Sequence, residues 1–200
     1  MNATLAPIVE GQAETESVPI LMRRILAQLG VHDVQIARPF RVKRNRVVRE
    51  GELERAITQV VRDRPRVAAV IVILDSDDDC PAELGPRLLR RSAAATEKPV
   101  AVVLAHREFE AWFLGAKESL RGVRGIRRDA ESPPNPEGIR GAKERLTQNM
   151  QGRRYLEVDD QPALAQALDI ARAAQRCPSL DKLLREIRGL LQRLRADAGV

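Results

Sequence analysis

Residues 67–74, Val-Ala-Ala-Val-Ile-Val-Ile-Leu, form an unbroken apolar run that is rich in Val and Ile and too short to span a membrane. Such a run reads as a strand buried on both faces of a parallel sheet, which places the chain in the α/β class. It runs straight into four acids within five positions, Asp75, Asp77, Asp78 and Asp79. In open α/β sheets ligands bind beyond the carboxyl ends of the strands, so acids delivered there are well placed for chemistry. Asp75 and Asp77, two apart, can turn to one side and share a divalent cation, which would relieve their mutual repulsion.

The flanking segments supply the other layers. A first strand, Leu5–Val9, ends at Glu10 and Gly11, and Pro7 suits a strand start or an edge. A helix follows, capped by Glu14 or Ser17, burying Ile20, Ile25 and Leu29 and stopping at Gly30. Taken alone, Glu10 is a turn residue and Glu14 a favourable charge at a helix start. A helix over 52–64 presents Leu53, Ile57, Val60 and Val61, and a helix opened by Pro81 presents Leu84, Leu88 and Leu89. Pro99–Leu104 is a further buried strand, ending in His106, Arg107, Glu108 and Glu110 before Trp112 and Phe113. Alternating strands and helices imply parallel crossovers, so the strand tails share one edge and Glu10, Asp75 and Glu110 converge. The C-terminal third reads as helices over 137–150, 162–174 and 179–195, with Ser179 as a cap and Leu183, Ile187, Leu190, Leu191 and Leu194 inward. The expected organisation is a core over 1–120, a basic Gly/Pro-rich loop over 121–136 and a helical extension over 137–200 packed on the core.

Two basic segments bear on partners. Residues 38–49 hold six basic residues and no acid, among them Arg41, Lys43, Arg44 and Arg46. As an extended strip they would follow a phosphate backbone, or else protect a solvated sheet edge. Arg124, Arg127 and Arg128 lie in the loop, which reads as a mobile lid or binding element. The net charge of +6 agrees with a polyanionic partner, whereas an aromatic content of 2% argues against binding by base stacking. Two cysteines, far apart, suggest a reducing cytosol, and neither a leader nor a membrane span is evident, so a cytoplasmic protein with no membrane partner is expected.

Val9-Glu10-Gly11 with Glu14, and Leu74-Asp75-Ser76-Asp77, resemble the two acidic motifs of the topoisomerase–primase (Toprim) catalytic domain. More closely, residues 6–11, Asp75–Pro81, Arg107–Phe113 and Arg140–Lys143 are similar to the bacterial domain-of-unknown-function family 4276, placed among Toprim-like proteins near the overcoming-lysogenisation-defect nucleases. The resemblance implies a Toprim-like sheet and a nuclease using Mg²⁺ or Mn²⁺, with two ions. Glu10 would be a ligand or general acid/base, Asp75 and Asp77 ligands, Glu14 and Glu110 further ligands, and Lys143 the phosphate-stabilising lysine. The second motif departs from the pattern by continuing into Asp78, Asp79, Cys80 and Pro81 where a glycine is common. Asp78 and Asp79 are outer-shell candidates or a solvated helix start, and His106 is a proton carrier or a structural residue. Family members often look like parts of phage-defence modules, which implies an ATPase partner; a homo-oligomer is left open. Two other readings remain: a phosphatase using Asp75 as nucleophile, and a docking subunit that does not cut.

Overall fold

The computed structural model describes residues 3–47, 49–197 and 199. In chain order it contains β1 (Ala3–Val9), α1 (Glu14–Gln28), β2 (Val34–Ile36), β3 (Phe40–Arg41), α2 (Arg44–Val47), α3 (Glu52–Asp63), β4 (Val67–Asp75), α4 (Pro81–Ala94), β5 (Val100–Ala105), α5 (Ala111–Gly115), α6 (Ala142–Gln148), α7 (Glu157–Ala167), α8 (Ile170–Arg176) and α9 (Pro178–Asp197). The described strands make one five-stranded parallel sheet in the order β2-β1-β4-β5, with β3 also paired to β1. The α/β expectation holds, and helices cover both faces.

Alternation along the strands divides the core. Leu5, Val9, Ile71, Ile73, Ala101 and Val103 pack with α1, α9 and the helices that follow β5. Ala6, Ile8, Val70, Val72, Leu74, Val102 and Leu104 pack with α3 and α4. The apolar run of β4 is continuous because both of its faces are covered, as strands of a parallel sheet require. A register shift between Thr4 and Leu5, where Val67 and Ala69 are their partners, sets Val67 in phase with Val70.

Several expectations need correction. Pro7 lies inside the sheet, paired with Ile71. Its position is tolerated because Leu5 and Val9 accept from Ala37 and Val42 on the other flank. Pro7, in phase with both, turns its nitrogen to the gap between β2 and β3, where no donor is needed. The basic segment is not extended throughout: only Phe40–Arg41 is strand, paired to β1, and the chain then turns into α2. Leu89 is 40% exposed, one position off the face formed by Leu84 and Leu88. The helix expected over 137–150 is a 3₁₀ turn, Pro136–Gly138, followed by α6; Gly141, at φ +70°, supplies the left-handed break between them. The helix expected over 162–174 is divided into α7 and α8, because the Asp169 carboxylate accepts from the Arg172 amide and starts a new helix. Neither Glu14 nor Ser17 caps α1; Ala13 holds that position without a side-chain cap. Ser179 lies inside the first turn of α9 and bonds to other elements instead.

The segment after α5 is tied into the protein. Ile126 and Ala130 are buried, Ile126 bridges to Met150, and Arg121 donates to the Ala130 carbonyl. Trp112, fully buried, donates from Nε1 to Ser179 Oγ at 2.7 Å, joining α5 to α9, and packs against Phe109 with ring centroids 4.5 Å apart and planes tilted by 49°. Gly115 ends α5 where a Cβ would stand 2.6 Å from Cys177 Sγ and 3.3 Å from the Ala173 backbone. Gly115→Ala is therefore expected to lower stability by about 1–3 kcal/mol, read as a denaturant midpoint shift, whereas Gly30→Ala at an uncrowded turn exerts only its backbone strain.

Candidate active site at the carboxyl edge of the sheet

The tails of β1, β4 and β5 open into a cleft of about 340 Å³ lined by Glu10, Asp75, Asp77, Asp78, Arg107, Glu108, Arg140, Gly141 and Lys143. Three short bonds weld the β4 and β5 tails. The Ser76 amide donates to Ala105 O at 2.8 Å, the Arg107 amide to the buried Ser76 Oγ at 2.8 Å, and the Asp77 amide to Arg107 O at 3.0 Å. Asp77 and Arg107 both take left-handed backbone, at φ +49° and +66°. Non-glycine residues in that region are strained, and such strain persists where surrounding structure fixes it, often at functional sites.

The acids differ in setting. Asp75 is half-buried and accepts from the Phe109 amide at 2.8 Å. Burial, followed by the charges of Glu14, Glu110 and Glu10, raises its proton affinity well above the usual carboxylate range; Lys143 opposes this. Glu110 is buried, accepting from Tyr155 Oη and Gln161 Nε2, both at 3.1 Å, and Gln161 in turn accepts from Ser17 Oγ. Burial pushes the Glu110 carboxyl up to about 7, against the pull of Lys143. Glu14 reaches back from α1 to the turn after β1, accepting from the Gly11 amide at 2.8 Å and the Glu10 amide at 3.2 Å. Its proton affinity is raised by burial despite those bonds. Gly11 makes room for this contact, since a Cβ there would lie 2.6 Å from the Glu14 carboxylate.

Lys143 stands among these acids. Burial works against its charge, yet Glu110, a 3.0 Å bond to Glu157, and Asp75 raise its affinity for the proton. Glu108, not singled out from sequence, accepts from the amides of Ala142 and Lys143 at 3.0 and 3.3 Å and so fixes the start of α6. Asp77, Asp78 and Asp79 are exposed. Asp78 pairs with Arg140 at 2.5 Å and lies 3.8 Å from Arg107.

The remaining candidates lie elsewhere. His106 does not line the cleft; its Nδ1 is 4.0 Å from Glu137, beside Ser179, in a separate pocket that also includes Cys80. Arg41 reaches the acidic turn, donating to Glu10 O at 3.0 Å and Gln12 Oε1 at 3.2 Å. Lys43 and Arg46 are exposed beside it, around another pocket, while the Arg44 side chain lies outside the described part. Arg124 pairs with the buried Asp160, which Arg153 also grips with two 2.9 Å bonds. Arg127 pairs with Asp129, and Arg128 is exposed; neither lines the cleft. Arg107, Arg140, Tyr155 and Gln161 were missed as site residues because their contacts join distant parts of the chain.

Among the described residues no group of three or more His, Cys, Asp or Glu side chains is gathered to hold a metal ion. The donor set nevertheless suits a hard divalent cation. It offers carboxylate oxygens, and the raised proton affinity of Asp75, driven partly by Glu14, Glu110 and Glu10, marks an excess of negative charge that a cation would relieve. No helix among the described residues is long and apolar enough to cross a membrane.

A family model described as a domain of unknown function, DUF4276, matches residues 9–188. No curated protein and no solved structure matches the chain.

Proposed function

We propose that this chain, which belongs to the DUF4276 family, is a divalent-metal-dependent phosphodiesterase of Toprim type that cleaves nucleic acid. The observation carrying this reading is the meeting of Glu10, Asp75 and Asp77 with Lys143 in one cleft beyond the carboxyl ends of β1 and β4. Glu10, Asp75 and Asp77 would hold Mg²⁺ or Mn²⁺, with Glu14 and Glu110 as ligands of a second ion. Bound there, the ions supply an activated water and stabilise charge on the attacked phosphate and its leaving oxygen. Lys143 contributes a fixed positive charge toward the phosphoryl oxygens, and Glu108 holds its helix start in place. Arg41, anchored on the Glu10 carbonyl, starts a basic path with Lys43 and Arg46 that would carry the strand to the cleft. An ATPase partner and a place in a defence module come to this proposal from the family resemblance.

One observation favours a second reading, a docking subunit that does not cut. Glu14 and Glu110 are each tied by hydrogen bonds within the protein rather than gathered round a common point. The discriminating experiment incubates the purified protein with supercoiled DNA, linear DNA, single strands, RNA and a small phosphomonoester, in Mg²⁺, Mn²⁺ or chelator. Metal-dependent cleavage of a polynucleotide, with the monoester untouched, is expected. Hydrolysis of the monoester alone would make the protein a phosphatase, and inactivity on every substrate would favour docking.

A further inference from the structure

Three cationic side chains line the acidic cleft; Lys143 pairs with Glu157, whereas Arg107 and Arg140 both approach the same exposed acid, Asp78. Arg107 Nε is buried and has no hydrogen-bond partner among the described residues. A buried donor left in that condition calls for a ligand, an ion or a water. Its backbone is strained at φ +66° and pinned between Ser76 and Asp77, so the side chain leaves the β5 tail from a fixed base. Arg140 approaches from the segment before α6, and the Asp78 carboxylate sits between them, 2.5 Å from one guanidinium and 3.8 Å from the other.

Carboxylate and phosphate oxygens are recognised by the same guanidinium fork. We propose that Arg107 and Arg140 form a seat for a backbone phosphate of the nucleic-acid substrate, next to the metal-holding acids, and that Asp78 occupies this seat in the free protein. The proposal rests on the phosphodiesterase reading for its choice of ligand. Asp78 and Arg140 are 75% and 71% exposed, so their pair is held weakly and an entering phosphate displaces it easily. Arg107, 26% exposed, is the firmer half of the seat. Asp78 thereby gains a role distinct from metal coordination, as the occupant of the seat that an entering phosphate displaces.

The test is binding of a labelled single-stranded DNA, followed by fluorescence anisotropy in chelator at low salt, so that no cleavage contributes. Arg140→Ala and Arg107→Gly, the latter suited to a left-handed backbone, are each expected to weaken binding about ten-fold. Asp78→Asn should tighten it about five-fold. Inorganic phosphate should compete with DNA on the wild type and lose that effect on Arg140→Ala. Melting curves show whether each variant is folded, with Arg107→Lys replacing a glycine variant that is not. Binding by folded Arg140→Ala and Arg107 variants that stays within two-fold of wild type, weaker binding by Asp78→Asn, or equal competition by phosphate against both proteins would overturn the seat. The hydrolase reading stands or falls separately: metal-dependent cleavage with unaltered variant binding removes only the seat, and altered binding without wild-type cleavage removes only the hydrolase.

Discussion

Glu110→Gln is expected to make the metal-free protein more stable at pH 8, by about 3 kcal/mol, while leaving stability near pH 4.5 almost unchanged. The carboxyl is raised from 4.5 to about 7, chiefly because burial penalises its charge. The folded state therefore holds the Glu110 proton more tightly than the unfolded chain. That advantage is fully present below about 4.5 and is lost as the pH rises through about 7. At pH 8 the wild type carries a buried carboxylate that glutamine replaces with a neutral group. Glutamine retains an oxygen to accept from Tyr155 and Gln161, so the surrounding bonds survive. Chemical denaturation in chelator at the two pH values checks this. A variant that loses stability at pH 8 would mean that the Glu110 charge is compensated by more than Lys143.

The second large effect concerns metal and folding together. A protein that binds an ion only when folded gains about 2.7 kcal/mol at a hundred-fold excess over the dissociation constant. The wild type is expected to melt higher in Mn²⁺ or Mg²⁺ than in chelator, with the gain growing with metal concentration. Asp75→Asn should abolish that gain without lowering the melting temperature in chelator. It removes one charge from a group that burial, Glu14, Glu110 and Glu10 all press toward neutrality. The amide oxygen can still accept from the Phe109 amide, seen at 2.8 Å in the wild type. A metal shift that persists undiminished in Asp75→Asn would place the ion elsewhere. Equal wild-type melting in metal and in chelator would remove the ion from the proposal altogether.

What could be read in advance depended on whether its cause was local. Residues 67–74 announce a strand covered on both faces, and the spacing of Leu183, Ile187, Leu190 and Leu194 announces the buried face of α9. The strand tails then follow from parallel topology, which is why the sequence places Glu10, Asp75 and Glu110 together; Glu10 and Asp75 line the cleft, whereas Glu110 is not part of its lining and is bonded to Tyr155 and Gln161. The division of α7 from α8 was also present in the sequence, in the Asp169 cap, but was hidden under an apparently continuous helix. Other features arise only from long-range packing. Pro7 is accommodated by a gap between two other strands, and Tyr155 and Gln161 meet Glu110 across 45 and 51 residues of chain. Arg107 and Arg140 lie 33 residues apart within the segments 107–113 and 140–143, and only the fold sets both against Asp78.

The most direct test of the central claim is cleavage of supercoiled plasmid or RNA, whichever the wild type cuts, by wild type and Asp75→Asn in Mn²⁺ and in chelator. Wild-type cleavage that stops in chelator and falls by about 10³-fold or more in a folded Asp75→Asn protein is the predicted result. Cleavage that survives either chelation or the loss of the Asp75 carboxylate would contradict the account.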